Sequence, residues 1–246
     1  MAKVYPVTVH CLVRNEDQWV GYALRSVMPY VQKIIIYDTG STDDTVKKVE
    51  EFKSLNVEFE EKDECGPGRL VELRNEMIEK TQTSWFMLLD GDEVWNSTQL
   101  QQYLDFTLAQ PKNIMATFLK TRNCVGDVYH YRGEESGRYE IAGMRGHLNI
   151  RAYRKLVRWS GKYPLEHCVD SSDKDSLAFF DGFYWHMTHL KRSSVEDVVL
   201  GYRRQVFDLG IKTLPAELPE VFAAKIFDRR SKFYETVSWL KQKITS

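Results

Sequence analysis

The chain reads as an α/β protein built on a mainly parallel sheet, and three observations carry that reading. Apolar, β-rich runs alternate with segments of helical period through the first hundred residues. Two of those runs, Ile34-Ile35-Ile36 and Trp85-Phe86-Met87-Leu88-Leu89, are apolar without a break, as strands buried on both faces are. Each run also stops at a cluster of polar residues. In such sheets ligands bind outside the carboxyl ends of the strands, so the fold gathers these clusters along one edge.

The first strand covers residues 7–13, where Val7, Val9, Cys11 and Val13 alternate with Thr8, His10 and Leu12. Arg14-Asn15-Glu16 opens a helical pattern that continues through Trp19, Ala23 and Val27 and ends at Pro29. A buried strand over 33–37 stops at Asp38-Thr39-Gly40-Ser41-Thr42-Asp43-Asp44, a run of turn formers and helix caps. A helix follows through Val46, Val49 and Phe52, then a short strand over 57–61 and a loop, Cys65-Gly66-Pro67-Gly68. The helix over 69–79 places Leu70, Leu73 and Met77 on one face, and the strand 85–89 runs straight into Asp90-Gly91-Asp92-Glu93.

The second half is less regular. Strands over 113–119 and 147–153 flank a polar, aromatic, glycine-containing segment, 123–146; a strand over 179–190 carries His186 and His189. From Ser194 the pattern is helical, broken by Pro215 and Pro219. With no internal repeat and no low-complexity linker, residues 1–246 are expected to form one domain, with halves at 1–100 and 101–193 and a helical extension at 194–246.

Composition narrows the classes. At 43% hydrophobic and 28% charged, 246 residues can bury a sizeable core, and a formal net charge of -1 lacks the basic footprint of a nucleic-acid binder. Cys11, Cys65, Cys124 and Cys168 are scattered without a CxxC pair, which argues against a disulfide framework or a zinc finger. No basic-apolar leader and no membrane-length apolar run occurs, so a soluble, cytoplasmic chain is expected.

The acidic strand end carries the chemistry. Three crowded carboxylates repel one another, a helix-capping need accounts for only one of them, and a divalent cation is the usual resolution. Gly91 lets the backbone bend so that Asp90 and Asp92 approach one ion. These residues point to a metal-assisted phosphate site.

The motifs Val13-Arg14-Asn15-Glu16, Ile34 through Thr45 with Asp38-Thr39-Gly40-Ser41, Arg74-Asn75-Glu76, and Trp85 through Asp90-Gly91-Asp92-Glu93 follow in an order that resembles family 2 glycosyltransferases of the GT-A fold. Within that family the chain is most similar to the bacterial branch containing lipopolysaccharide-core glucosyltransferases. The resemblance spans roughly the first hundred residues and is weak beyond them. It implies a GT-A architecture: a nucleotide-sugar-binding half with a mainly parallel mixed sheet and helices on both faces, an irregular acceptor half, and a helical C-terminus. It implies transfer of a sugar from a UDP- or GDP-sugar to a hydroxyl of a glycan or glycoconjugate, with Mn²⁺ or Mg²⁺ and with inversion.

By matching position, Val13, Arg14 and Glu16 lie beside base and ribose. Asp38 bonds the base or ribose, Arg74 reaches base or phosphates, Asp90 faces the ribose and Asp92 binds the metal. The family's downstream histidine falls on His189 in preference to His186, two residues expected on opposite strand faces. The general base falls on Glu166, although its Glu166-His167 order reverses the family's His-Glu pair, and Asp170 and Asp181 remain alternatives. Tyr129, Tyr131, Tyr139, Trp159 and Trp185 are aromatic candidates for stacking on sugar rings. Two other readings stay open, a sugar nucleotidyltransferase and a nucleotide- or glycan-binding module without turnover; no glycine-rich basic loop follows the first strand to support the former. The mildly basic, aromatic residues 191–243 suit contact with an anionic membrane or plain packing on the sheet.

Overall fold

A computed structural model of the chain describes residues 2–54, 56–63, 67–162, 166–190, 211–212 and 214–225. Its first half alternates β1 (Tyr5–Val13), α1 (Val20–Val27), β2 (Val31–Asp38), α2 (Thr45–Glu50), β3 (Val57–Glu61), α3 (Pro67–Lys80) and β4 (Trp85–Leu88). β5 (Glu93–Val94) and α4 (Ser97–Leu108) follow. The second half holds β6 (Ala116–Val125), β7 (His130–Tyr131), the hairpin β8 (Tyr139–Ile141) and β9 (Met144–Gly146), then β10 (Leu148–Arg154), β11 (Leu177–His189) and β12 (Ile211–Lys212).

β4, β1, β2 and β3 lie side by side and parallel, in that order. Strand parity explains how the core divides. Val7, Val9 and Cys11 share one cluster with Ile34, Ile36, Trp85 and Met87, covered by Val20, Ala23, Leu24 and Val27 of α1, Val49 of α2, and Leu100, Tyr103 and Leu104 of α4. Ile35 and Tyr37 face the other way, onto Leu73 and Met77 of α3. The three consecutive isoleucines are thus core on both faces, as a central parallel strand requires. On the α3 side His10 stacks on Phe86 at 4.4 Å between centroids, and its Nε2 lies 2.6 Å from the Thr81 hydroxyl.

The sheet changes character at β4. β10 joins it antiparallel, with Ala152 opposite Met87, and β6 lies antiparallel beyond β10. β11 runs parallel to β6 and also pairs antiparallel with the two-residue β5. Asn96 caps α4, its side-chain oxygen accepting from the N–H groups of Thr98 (3.0 Å) and Gln99 (3.2 Å); such a cap contributes about 1 kcal/mol.

Element bounds depart from the sequence expectations mainly in length. β6 and β11 are longer than the expected 113–119 and 179–190 strands suggested at their paired ends, α1 begins only at Val20 after a turn, and the polar segment 123–146 folds back as β7 and the β8/β9 hairpin. Most of the helical pattern after Ser194, and with it the membrane-contact expectation for 191–243, lies outside the described residues, as do Cys65 and Gly66. The described stretches there hold β12 and short 3-10 turns at Pro215–Glu217 and Glu220–Lys225. No helix among the described residues is long and apolar enough to cross a membrane.

Candidate active site

The carboxyl ends of β1 and β4 open onto a cavity of about 860 Å³. One wall is Leu12, Val13, Arg14, Glu16 and Thr39, with Asp90, Gly91 and Asp92 at its floor and Leu70 and Arg74 of α3 at its side. The facing wall comes from Asn149, Ile150, Arg151 and Tyr153 of β10, Trp159, Glu166, and His186 and Thr188 of β11, with Tyr139 and Ile141 of the hairpin at the rim.

The polar loops of the first wall are laced to each other. The N–H of Asn15 donates to Ser41 Oγ (2.9 Å), that of Glu16 to Thr45 Oγ1 (2.7 Å), and that of Thr42 to Asn15 Oδ1 (2.8 Å). Asn15 holds φ 54°, a left-handed conformation that asparagine tolerates better than most residues. Gly91 is required by close approach: a Cβ there would stand 2.9 Å from Glu16 Cβ and Cγ and 3.1 Å from Val13 Cγ1. Glycine therefore lets the acidic turn lie against the end of β1.

Asp38 shapes the turn that follows β2. Its Oδ1 accepts from the N–H groups of Gly40 (3.0 Å) and Ser41 (2.8 Å), its Oδ2 accepts from the Ser41 hydroxyl, and the residue is buried and absent from the cavity lining. These bonds organise its own turn in the Asx manner; Thr39, next in the chain, lines the cavity.

Pairing of β5 with β11 assembles the acidic centre. His186 lies opposite Glu93, and the Met187 N–H donates to Asp92 O at 2.9 Å, which brings His186 Nε2 to 3.3 Å from Asp92 Oδ2. Burial opposes protonation of His186, but the Asp92 carboxylate, with those of Glu93 and Asp90, outweighs it and raises the imidazole above its ordinary value. The register of β11 shifts between His186 and His189. His189 does not line the cavity; burial, together with the positive charge of Arg132 and neighbouring imidazoles, pulls it down to about 4. His186, the less favoured of the two histidines in the sequence, is thus the imidazole beside Asp92.

Among the described residues no group of three His, Cys, Asp or Glu side chains is placed to hold a metal. Asp92 and His186 offer one carboxylate and one imidazole, a set that fits Mn²⁺ or Mg²⁺ when phosphate oxygens and water complete the coordination. Glu93 is fully buried, and burial pushes its carboxyl up to about 7 against the pull of the Arg151 guanidinium.

Across the cavity, Glu166 Oε1 lies 3.6 Å from Arg74 Nη2, and the Arg74 guanidinium sits 5.0 Å from the Trp159 ring centroid. Buried Glu166 Oε2, Arg74 Nε and Trp159 Nε1 have no hydrogen-bond partner among the described residues. Such atoms lining a cavity suit a polar ligand. The alternatives to Glu166 lie elsewhere: Asp170 is exposed and bonded to Ser172, and Asp181 is exposed 3.3 Å from Lys120. Of the five aromatic candidates, only Tyr139 and Trp159 line the cavity.

Several residues of the site went unassigned in the sequence reading. Asn75 fixes Trp159 reciprocally, its Nδ2 donating to Trp159 O (3.0 Å) and its Oδ1 accepting from Trp159 N–H (2.9 Å). Arg151 donates to Asp90 Oδ2 at 3.1 Å and to Glu93. An arginine flanked by apolar Ile150 and Ala152 within a strand is the signal that could have found it.

Comparison with known proteins agrees with this architecture. A family model described as glycosyl transferase family 2 matches residues 8–162, more than half of the chain. A TPR repeat-containing protein of Synechococcus elongatus is 28% identical over 136 residues, covering 53% of this chain and 31% of that protein, so the chain spans about a third of that relative's length. The crystal structure of S. aureus TarS 1-349 in complex with UDP-GlcNAc superposes with a TM-score of 0.50 at 13% identity, over 84% of this chain and 68% of that one. Glucosyl-3-phosphoglycerate synthase from Mycobacterium tuberculosis in complex with phosphoglyceric acid gives a TM-score of 0.50 at 15% identity, over 74% and 72%. These neighbours share the fold, the GT-A type. By the family match, the chain belongs to glycosyl transferase family 2.

Proposed function

We propose that the chain transfers a sugar from a nucleoside-diphosphate sugar to a hydroxyl of a glycan or glycoconjugate acceptor, with a divalent cation and with inversion at the sugar. The observation that carries this reading is one cavity lined by the Asp92–His186 pair, Asp90, Arg74 and the partly buried carboxylate of Glu166. A cation bound by Asp92 and His186 would neutralise diphosphate oxygens and so ease departure of the nucleotide. Asp90 accepts a bond from a ribose hydroxyl, Arg74 donates to base or phosphate oxygens, and the ends of β1 beside Val13, Arg14 and Glu16 flank the nucleoside. Glu166 takes the proton of the acceptor hydroxyl as that oxygen attacks the face opposite the leaving group. The TarS complex with UDP-GlcNAc supports trying UDP-sugars first. The free thiols of Cys11, Cys124 and Cys168 support a reducing, cytoplasmic setting.

The test is a thermal-shift panel of UDP-, GDP-, CDP- and dTDP-sugars with and without Mn²⁺, followed by measurement of nucleotide release from the stabilising donor. Stabilisation by at least one donor that Mn²⁺ increases, with nucleoside diphosphate released, is expected. Pyrophosphate formed from a nucleoside triphosphate and a sugar phosphate would reject transfer in favour of nucleotidyl chemistry. Mn²⁺-linked binding without release, with any acceptor, would leave a binding module.

A further inference from the structure

We infer that Arg151 is the positioning residue of Asp90, fixing its carboxylate for the donor ribose from the opposite half of the molecule. This rests on the proposed nucleotide site. Arg151 is 8% exposed and lies in β10. Its Nε donates to the Tyr184 hydroxyl at 3.0 Å, and its Nη2 donates both to Glu93 and, at 3.1 Å, to Asp90 Oδ2. Tyr184 is itself held: its hydroxyl accepts from Asn149 Nδ2 at 2.6 Å, and its ring stacks on Trp95 at 4.9 Å.

Glu93 closes the frame. Its Oε2 accepts from the Asp90 N–H at 3.2 Å, while its own N–H donates to Asp90 O at 3.0 Å. Asp90 is therefore tied at its backbone nitrogen, its backbone oxygen and Oδ2, which keeps Oδ1 for a ligand. The pairing of Glu93 alone would justify the buried cation, but the same nitrogen also reaches a side chain that is 41% exposed. An aspartate so exposed would otherwise rotate freely and pay ordering entropy on binding; held in advance, it does not. The arginine fork meets three partners at once, a geometry that a lysine ammonium on a flexible stem cannot reproduce.

A double-mutant cycle on nucleotide affinity separates this role from structural support. UDP and GDP are titrated by calorimetry, with Mn²⁺, into the wild type, Arg151→Lys, Asp90→Ala and the double variant, with thermal melting as the check on folding. Arg151→Lys is expected to weaken binding about tenfold. Asp90→Ala should weaken it about tenfold or more, and the double variant should bind within about threefold of Asp90→Ala, because Arg151 acts through Asp90. Losses that multiply would overturn the inference and mean that Arg151 touches the nucleotide itself; an unaltered affinity in Arg151→Lys would overturn it too. Should Arg151→Lys not fold, Arg151→Gln with Glu93→Gln, which leaves no buried charge unpaired, takes its place in the cycle. If the wild type binds neither nucleotide, nor CDP or dTDP, the site reading fails first and this inference falls with it; wild-type binding with an additive cycle refutes the inference alone.

Discussion

The two walls of the cavity are built by different rules. Residues 13–16, 38–45 and 90–92 follow parallel strands directly in the chain, and their loops are laced to one another by short bonds such as Glu16 to Thr45 and Asn15 to Ser41. The facing wall takes Arg151 and His186 from the middles of antiparallel-paired strands, where register against β4 and β5 decides which side chain meets the acids. The first wall is therefore a local structure that the sheet gathers. The second is a product of long-range pairing, and one register step in it would exchange a ligand for a core residue.

Chemistry on the second wall gives the largest expected effect. Glu166→Gln should lower turnover by about 10²- to 10⁴-fold, the range of a lost general base, while calorimetry shows nucleotide affinity nearly intact. If Asp170→Asn or Asp181→Asn produces that loss and Glu166→Gln does not, the base sits off this wall.

Next in size is the histidine pair. His186→Ala should weaken Mn²⁺-linked nucleotide binding by at least the roughly 10- to 100-fold that loss of a metal site's supporting partner costs, whereas His189→Ala should change it by less than about threefold. The reverse ranking would mean that β11 presents His189, not His186, to the cation.

What the sequence made legible follows the same division. The α/β pattern, the strands β1 to β4 and the acidic turn could be read because each is a short-range signal: unbroken apolar runs, caps, and polar residues next in the chain. Asp38 has a turn-forming role that the sequence could not separate from ligand binding, because both share one signature; its bonds to Gly40 and Ser41 show the former. The choice of His186 over His189 and the place of Arg151 were not legible because both arise from pairing partners 58 to 94 positions away. Parity did separate the two histidines, but it could not say which face held Asp92.

A smaller effect probes the packing of the first wall. Gly91→Ala forces a Cβ against Glu16 and Val13 and should cost about 1–3 kcal/mol in chemical denaturation, the range for overpacking a tight site, with nucleotide affinity falling alongside. An unchanged unfolding midpoint would mean that the acidic turn does not press on β1.

The smallest effect concerns the sheet beneath. Burial, aided by the Arg74 charge, lowers His10 from 6.5 to about 3. Above pH 6.5 both folded and unfolded states are neutral there; as pH falls below it the unfolded state takes up a proton that the folded state refuses until about 3. Stability should therefore drop on acidification, by about 1 kcal/mol between pH 7 and pH 6, and His10→Gln should remove that part of the slope. Identical slopes in the two proteins would place a charged or exposed imidazole where the structure has a neutral one.

In the proposed function the two walls meet at a divalent cation on Asp92 that carries the donor's diphosphate. Calorimetric titration of the stabilising nucleoside diphosphate into the wild type and Asp92→Ala, each with and without Mn²⁺, tests it most directly. Mn²⁺ should tighten binding by about tenfold or more in the wild type and by nothing measurable in Asp92→Ala. Equal tightening in both proteins, or none in the wild type, would contradict it.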